Sequence, residues 1–234
     1  MRLRTQLASI PLRNKDTDRS EMVSQLLYGE EFTVLEQKGT WIRVRCSHDG
    51  YEGWLAKEHE YTSDVLDTKL IRSPGFLTLS DDSIIRISPG SRLTTQEIQD
   101  FTALTEIGPD SPIATAHLFL NTPYLWGGRS IWGIDCSGLV QVCMACHGAD
   151  LPRDAYQQAE QGESIEFGKH LSGDIVFFQK EEGRIHHVGF CLDEQRIIHA
   201  SGRVRIDRLS PEGIVRLSDE QLSHRFHSIK RIST

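Results

Sequence analysis

One stretch constrains this chain more than any other. Tyr124 to Gln141 reads Y-L-W-G-G-R-S-I-W-G-I-D-C-S-G-L-V-Q. Aromatics and paired glycines open it, which suits a loop where backbone must pass close to something. Asp135-Cys136-Ser137-Gly138 then lead into Leu139, Val140, Val142, Cys143 and Met144, an apolar helix pattern. Cys136 therefore falls in or just before the first helical turn. The unpaired N–H groups and positive dipole end found there favour a thiolate over a thiol. Such a cysteine, taken alone, is more often a small buried apolar residue. The histidines further along change the balance.

A chain of 234 residues can hold one sizeable domain and a small one. Its net charge of −7, with no basic stripe, argues against a nucleic-acid partner and against a basic membrane-surface protein. No uninterrupted apolar run approaches membrane-spanning length. The first residues, M-R-L-R-T-Q-L-A-S-I-P-L-R-N-K, carry basic groups without an apolar core or a clear cleavage site, so no signal peptide is expected. Five cysteines, an odd count, do not look like a disulfide framework; reduced thiols in a cytoplasm fit.

Residues 1–62 read as all-β. Ala8–Leu12, Phe32–Leu35, Trp41–Cys46 and Tyr51–Leu55 are short apolar runs separated by turn residues, and Trp41–Cys46 alternates with period two. Asp49-Gly50 suits a hairpin turn. A small barrel is expected. The order P-L-R, then S-x-x-V-S-Q-L-L-Y-G-E, then W-I-R-V-R, then D-G-Y-E-G-W-L resembles a bacterial SH3 (SH3b) domain. Residues 63–108 hold strand-like runs at Leu70-Ile71, Phe76–Leu79 and Ile84–Ile87, and a short helix start at Thr94–Glu97. They read either as a linker or as an extension of the barrel.

From about residue 109 the pattern becomes helical. Ser111 suits an N-cap with Pro112 at the first helical position, and Asn121-Thr122-Pro123 ends that helix. The helix beginning near Cys136 ends at His147-Gly148, and Ala155–Glu160 reads as another. Three strands follow: Ile175–Phe178, then His186–Leu192 after a charged turn through Glu182, then Arg196–Ala200. Short connections make them an antiparallel sheet, so the layout is α+β.

Two of those strands carry His187 and His199. Joined by a hairpin-like turn, they could present both rings on one face. A cysteine at a helix N-terminus needs a base within reach, and that base needs a group to orient it. The runs P-Y-L-W-G-G-x-S, G-x-D-C-S-G-L-V-Q, L-P-R-D-A, G-D-I-V-F-F, H-V-G-F and I-H-A-S, in that order, resemble the NlpC/P60 family of papain-like cysteine peptidases. The resemblance implies helices packed on an antiparallel sheet over residues 109–234, and a thiol peptidase acting on γ-D-glutamyl bonds of murein peptides. It makes Cys136 the nucleophile, His187 the base and His199 the polar third residue, with His186 facing the other side. The Cys136 N–H and the Tyr124 hydroxyl become oxyanion donors. No metal or cofactor is implied.

An SH3b domain before such a peptidase resembles members that cleave L-Ala-γ-D-Glu-diamino acid peptides with a free N-terminal L-Ala. There Asp135 and Ser137 would meet the free ammonium, with Tyr51 and Glu30 as further candidates; Asp135 is equally a helix N-cap. That preference suits recycling of wall fragments in a cytoplasm. Three other readings compete. Cys143-Met144-Ala145-Cys146-His147 spells the C-x-x-C-H haem-attachment pattern, but it lies on the apolar stripe of the Cys136 helix. A wall-binding protein without activity, or an amidase or endopeptidase on intact wall, would keep the SH3b domain and change the chemistry or the bond.

Overall fold

The computed structural model describes residues 2–59, 61–63, 67–105, 108–180 and 183–233. These divide into two compact units, Met1–Pro109 with Leu125–Gly133, and Asp110–Tyr124 with Ile134–Thr234.

In the first unit, β1 (Arg2–Thr5), β2 (Ser9–Arg13), β3 (Met22–Leu27), β4 (Glu31–Lys38), β5 (Trp41–Cys46), β6 (Glu52–Ala56) and β7 (Tyr61–Thr62) form one sheet in the order β3-β2-β6-β5-β4-β1-β7. The period-two reading of β5 holds: Ile42, Val44 and Cys46 are buried, while Arg43 and Arg45 point outward and pair with Glu52. Leu3, Ile10, Leu12, Leu26, Phe32, Val44 and Leu55 come from six strands yet meet in one buried cluster. A single sheet can do this only by curling around its own core, which is the barrel expected.

Residues 67–105 are folded. They supply β8 (Thr68–Leu70), β9 (Gly75–Thr78), β10 (Ile84–Ile87), β11 (Arg92–Thr94), α1 (Thr95–Gln99) and β12 (Phe101–Ala103). These pair as β11-β8 and β10-β9-β12. Leu77, Ile87 and Leu93 share a second core with Tyr28 of the barrel. The α1 capping box, Thr94 with Glu97, also holds the barrel: Glu97 accepts from Arg4 Nη2 at 2.6 Å and from the Tyr28 hydroxyl at 2.7 Å. The turn at Gly29 has φ +75°, and a Cβ there would lie 1.8 Å from the Arg92 carbonyl oxygen. Only glycine lets this turn approach so closely.

The second unit begins with α2 (Pro112–His117), capped by Ser111 as expected, with the Ala114 N–H donating to its hydroxyl at 3.2 Å. The chain then passes through β13 (Arg129–Ser130) and β14 (Gly133–Ile134) to α3 (Cys136–Ala145) and α4 (Ala155–Gln158). Every α3 residue from Cys136 to Met144 is buried, so this is a central helix rather than a surface one. It packs against the second and third strands of the sheet expected from sequence.

That sheet is larger than the three-stranded reading. After β15 (Glu163–Ile165) come β16 (Ile175–Gln179), β17 (Ile185–Cys191), β18 (Arg196–Ser201), β19 (Arg203–Ser210), β20 (Gly213–Val215) and β21 (Leu222–Arg231). The long β21 pairs with β16 along one edge and with β20 along the other, closing a six-stranded antiparallel ring; β15 adds to β21. Val176, Phe178, Cys191, Ile197, Leu209, Ile214 and Ile229 form one buried cluster within it. Strand outweighs helix more than the α+β reading suggests. The charged turn expected through Glu182 lies outside the described residues.

Candidate active site

Asp135 is the N-cap of α3, with extended φ and ψ of −96° and 177° and a side chain that accepts from the Gly138 N–H. Cys136 is therefore the first helical residue, as its place after the glycine loop suggests. Its side chain is 5% exposed, and its sulfur receives a hydrogen bond from the Val188 backbone N–H on β17. Burial, followed by the Asp135 charge, pushes the thiol up to about 12. This corrects the expectation of a thiolate. The helix terminus and the Val188 amide favour the anion, but desolvation of a nearly enclosed sulfur outweighs them.

β17 brings His187 beside that amide. Gly189 pairs with His199 across β17 and β18, so His187, two residues earlier, shares the His199 face as a diagonal neighbour. His187 Nε2 lies 2.8 Å from His199 Nδ1. Gly189 makes the approach possible: a Cβ there would stand 2.7 Å from the Ile198 carbonyl oxygen and 2.8 Å from His199 Cβ. Burial holds His187 well below the usual imidazole range, and the neighbouring histidines His199, His224 and His186 add to it. Burial thus favours the neutral thiol of Cys136 and the neutral imidazole of His187.

Two further groups complete the cluster, and both escaped the sequence reading. Asp207 on β19 sits opposite Ile197, again diagonal to His199, and its Oδ2 lies 3.0 Å from His199 Nε2. Burial alone would raise its carboxyl, but hydrogen bonds from His199, the Leu217 N–H and Arg205 hold it below the ordinary range. His224 on β21 stacks on His187 with ring centroids 4.0 Å apart and planes at 23°. Burial, with the His199 and His186 rings, lowers His224 to about 3. The hairpin signal for β19 is present at Gly202, between I-H-A-S and R-V-R-I-D. Extending that hairpin sets Asp207 across from Ile197.

Asp135 already has a strong partner. Arg153, of the L-P-R-D-A run, grips it with two hydrogen bonds of 3.0 and 2.6 Å and donates to the Ser137 hydroxyl at 2.8 Å. Tyr124 is half-buried, its N–H donating to the Gly202 carbonyl and its backbone bridging Ile134, two residues before the cysteine. Burial, then the Cys136 and Asp135 charges, raises its hydroxyl, so it stays a proton donor.

Residues 121–220 match the NlpC/P60 family model, and residues 12–59 match the bacterial dipeptidyl-peptidase Sh3 domain. The gamma-D-glutamyl-L-lysine dipeptidyl-peptidase of Bacillus subtilis is 32% identical over 211 residues, covering 76% of this chain and 71% of that protein. The chain belongs to the NlpC/P60 family. The enzyme of the same name from Bacillus cereus is 25% identical over 241 residues, covering 83% of this chain and 72% of the relative. A crystal structure of an NlpC/P60 family protein from Bacillus cereus shares the fold with a TM-score of 0.79, at 20% identity and 99% coverage of both chains.

In this NlpC/P60 chain the remaining candidates have other partners. Glu30 is 3% exposed, and Arg129 takes both its oxygens at 2.7 and 3.0 Å while the Leu27 N–H takes one at 2.8 Å. Glu30 is thus the internal ion-pair partner of a buried guanidinium, as Asp135 is of Arg153. Tyr51 packs on the barrel core, its N–H donating to Asp49 at 2.9 Å. The C-x-x-C-H run is spent on packing: Cys143 and Cys146 are buried, and His147 Nε2 meets the Thr115 hydroxyl at 2.9 Å. Among the described residues, no three His, Cys, Asp or Glu are arranged to hold a metal ion. No described helix is long and apolar enough to cross a membrane.

Proposed function

We propose that this NlpC/P60 protein is a thiol peptidase that hydrolyses the γ-D-glutamyl–diamino acid bond of murein peptides and takes substrates with a free N-terminal L-Ala. The observation that carries the reading is the seating of Cys136. Its sulfur accepts from the N–H of Val188, the residue after His187 on β17, and His187 Nε2 is held by a second histidine. A thiol so placed transfers its proton to His187 as sulfur attacks the γ-carbonyl carbon. The carbonyl oxygen becomes an oxyanion, stabilised by the Cys136 N–H and the Tyr124 hydroxyl. His187 then gives the proton to the leaving amine, and water it activates cleaves the thioester. Because thiol and imidazole are neutral at rest, the charge separates only when substrate supplies the electrophile.

The two Bacillus relatives named gamma-D-glutamyl-L-lysine dipeptidyl-peptidase support the bond and the release of a dipeptide. In this reading Asp135 and Ser137, at the α3 N-terminus, meet the substrate ammonium. Five free, buried cysteines support a reducing compartment and hence recycled fragments as substrate. Purified protein should cleave L-Ala-γ-D-Glu-diaminopimelate, Cys136→Ala should not, and the N-acetylated peptide should be cut at least tenfold more slowly. No turnover by the wild-type protein removes the peptidase reading. Equal turnover of both peptides moves the substrate to intact wall.

A further inference from the structure

A neutral His187 can accept the thiol proton only if the nitrogen facing the cysteine carries the lone pair. Nothing within the His187–His199 pair decides this. The 2.8 Å contact between His187 Nε2 and His199 Nδ1 holds one proton, and either ring can own it. The next contact outward removes the ambiguity. Asp207 is fully enclosed, and its Oδ1 accepts from the Leu217 N–H at 3.0 Å and from Arg205 Nη2 at 2.9 Å. Its Oδ2 accepts from Arg205 Nε at 2.8 Å and faces His199 Nε2 at 3.0 Å. A carboxylate so surrounded by donors is ionised and can only accept. His199 must therefore carry its proton on Nε2. Its Nδ1 is then the acceptor, so His187 must donate from Nε2, and the lone pair of His187 falls on Nδ1.

We propose that Asp207 is a positioning residue which, by accepting the Nε2 proton of His199, sets the tautomers of both histidines and keeps His187 Nδ1 open as the base. The inference rests on the peptidase reading above for its link to turnover, but not for the tautomers themselves. During acylation the Cys136 proton moves to His187 Nδ1 while the sulfur electron pair forms the C–S bond. The resulting imidazolium donates from Nε2 to His199 without any further proton having to move. The Asp207 charge stabilises that cation through one intervening ring, as the aspartate of a Ser-His-Asp triad does directly.

The test is Asp207→Asn, which preserves shape. The carboxamide oxygen is directed to the Oδ1 position, because the Leu217 N–H is a fixed backbone donor, whereas Arg205 is partly exposed and can swing away. The NH2 group then faces His199 Nε2 and donates to it, reversing both tautomers and placing a proton on His187 Nδ1. In a Ser-His-Asp triad this replacement lowers kcat about 10,000-fold; with a second ring between, a fall of about 100-fold in kcat is expected, with KM unchanged within about threefold. Long-range 1H–15N correlation spectra of histidine-labelled protein read the tautomers without substrate. Wild type should show His187 and His199 both protonated on Nε2, and Asp207→Asn both on Nδ1. A wild-type spectrum with His187 protonated on Nδ1 overturns the proposal even if the variant does not fold. So does a variant with wild-type kcat, or one that loses activity with its tautomers unchanged. Absence of turnover by the wild-type protein would defeat the peptidase reading and leave the spectra to decide on Asp207.

Discussion

The Asp135–Arg153 pair offers a quantitative test of how the nucleophile is held. The two side chains are 7% and 2% exposed, and the guanidinium makes two bonds to the carboxylate and one to Ser137. In Arg153→Met, Asp135 keeps the Gly138 N–H at 2.7 Å but stands in the interior without its counter-charge. Removing one partner of a buried pair costs about 3–5 kcal/mol. Asp135→Asn retains the cap, since asparagine caps about as well, and instead strands the arginine at a similar cost. The double variant buries no unpaired charge, so the cycle should show at least about 2 kcal/mol of coupling. All four tryptophans, Trp41, Trp54, Trp126 and Trp132, lie in the first unit, so the readout is taken from groups of the second. The measurement is urea-dependent labelling of the buried thiols Cys143 and Cys191, quantified by mass spectrometry. Coupling near zero, or an Arg153→Met loss under about 1 kcal/mol, would show that the pair does not anchor α3. Kinetics separate the competing role. If Asp135 mainly serves the substrate ammonium, Arg153→Met lowers KM for the free-amine peptide; if it anchors the helix, KM does not fall.

Three other outcomes follow from the same geometry. Gly189→Ala drives a Cβ into the Ile198 carbonyl and His199, so it should cost about 1–3 kcal/mol in urea unfolding and lower kcat; normal stability and kcat would show that the His187–His199 contact does not depend on glycine. His187, His199 and His224 are all held below the usual range by burial, so the folded chain keeps them neutral while the unfolded chain protonates them below about pH 6.5. Stability present above that pH is therefore lost as pH falls toward the folded-state values, at up to about 1.4 kcal/mol per pH unit per histidine; a urea midpoint unchanged between pH 7 and pH 5 would contradict this. With its thiol pushed up to about 12, Cys136 should react with iodoacetamide more slowly at pH 7 than a cysteine in a short peptide and accelerate with rising pH; rapid labelling at pH 6 would instead reveal a resting ion pair.

The local part of the site was readable from residues alone, because its causes are local. Asp135 caps the helix through a group three residues away, and the apolar run after Cys136 commits that segment to the interior, so the cysteine's place needs no long-range information. Likewise His187 and His199 sit on consecutive strands joined by a short turn, and a hairpin keeps such residues together. Tertiary structure decided the rest. Whether the thiol ionises depends on how much water the rest of the fold removes from it, and enclosure overrode the helix end. His224 joins the cluster because β21 pairs with β16 and β20, and Asp207 because the β18–β19 register sets it on the His199 face. Arg153 and Arg129 choose their carboxylates across 18 and 99 residues of chain. Period-two patterning says which side of a strand is buried; it carries no record of which charged group will be waiting there, since that contact forms only when distant segments share one desolvated space.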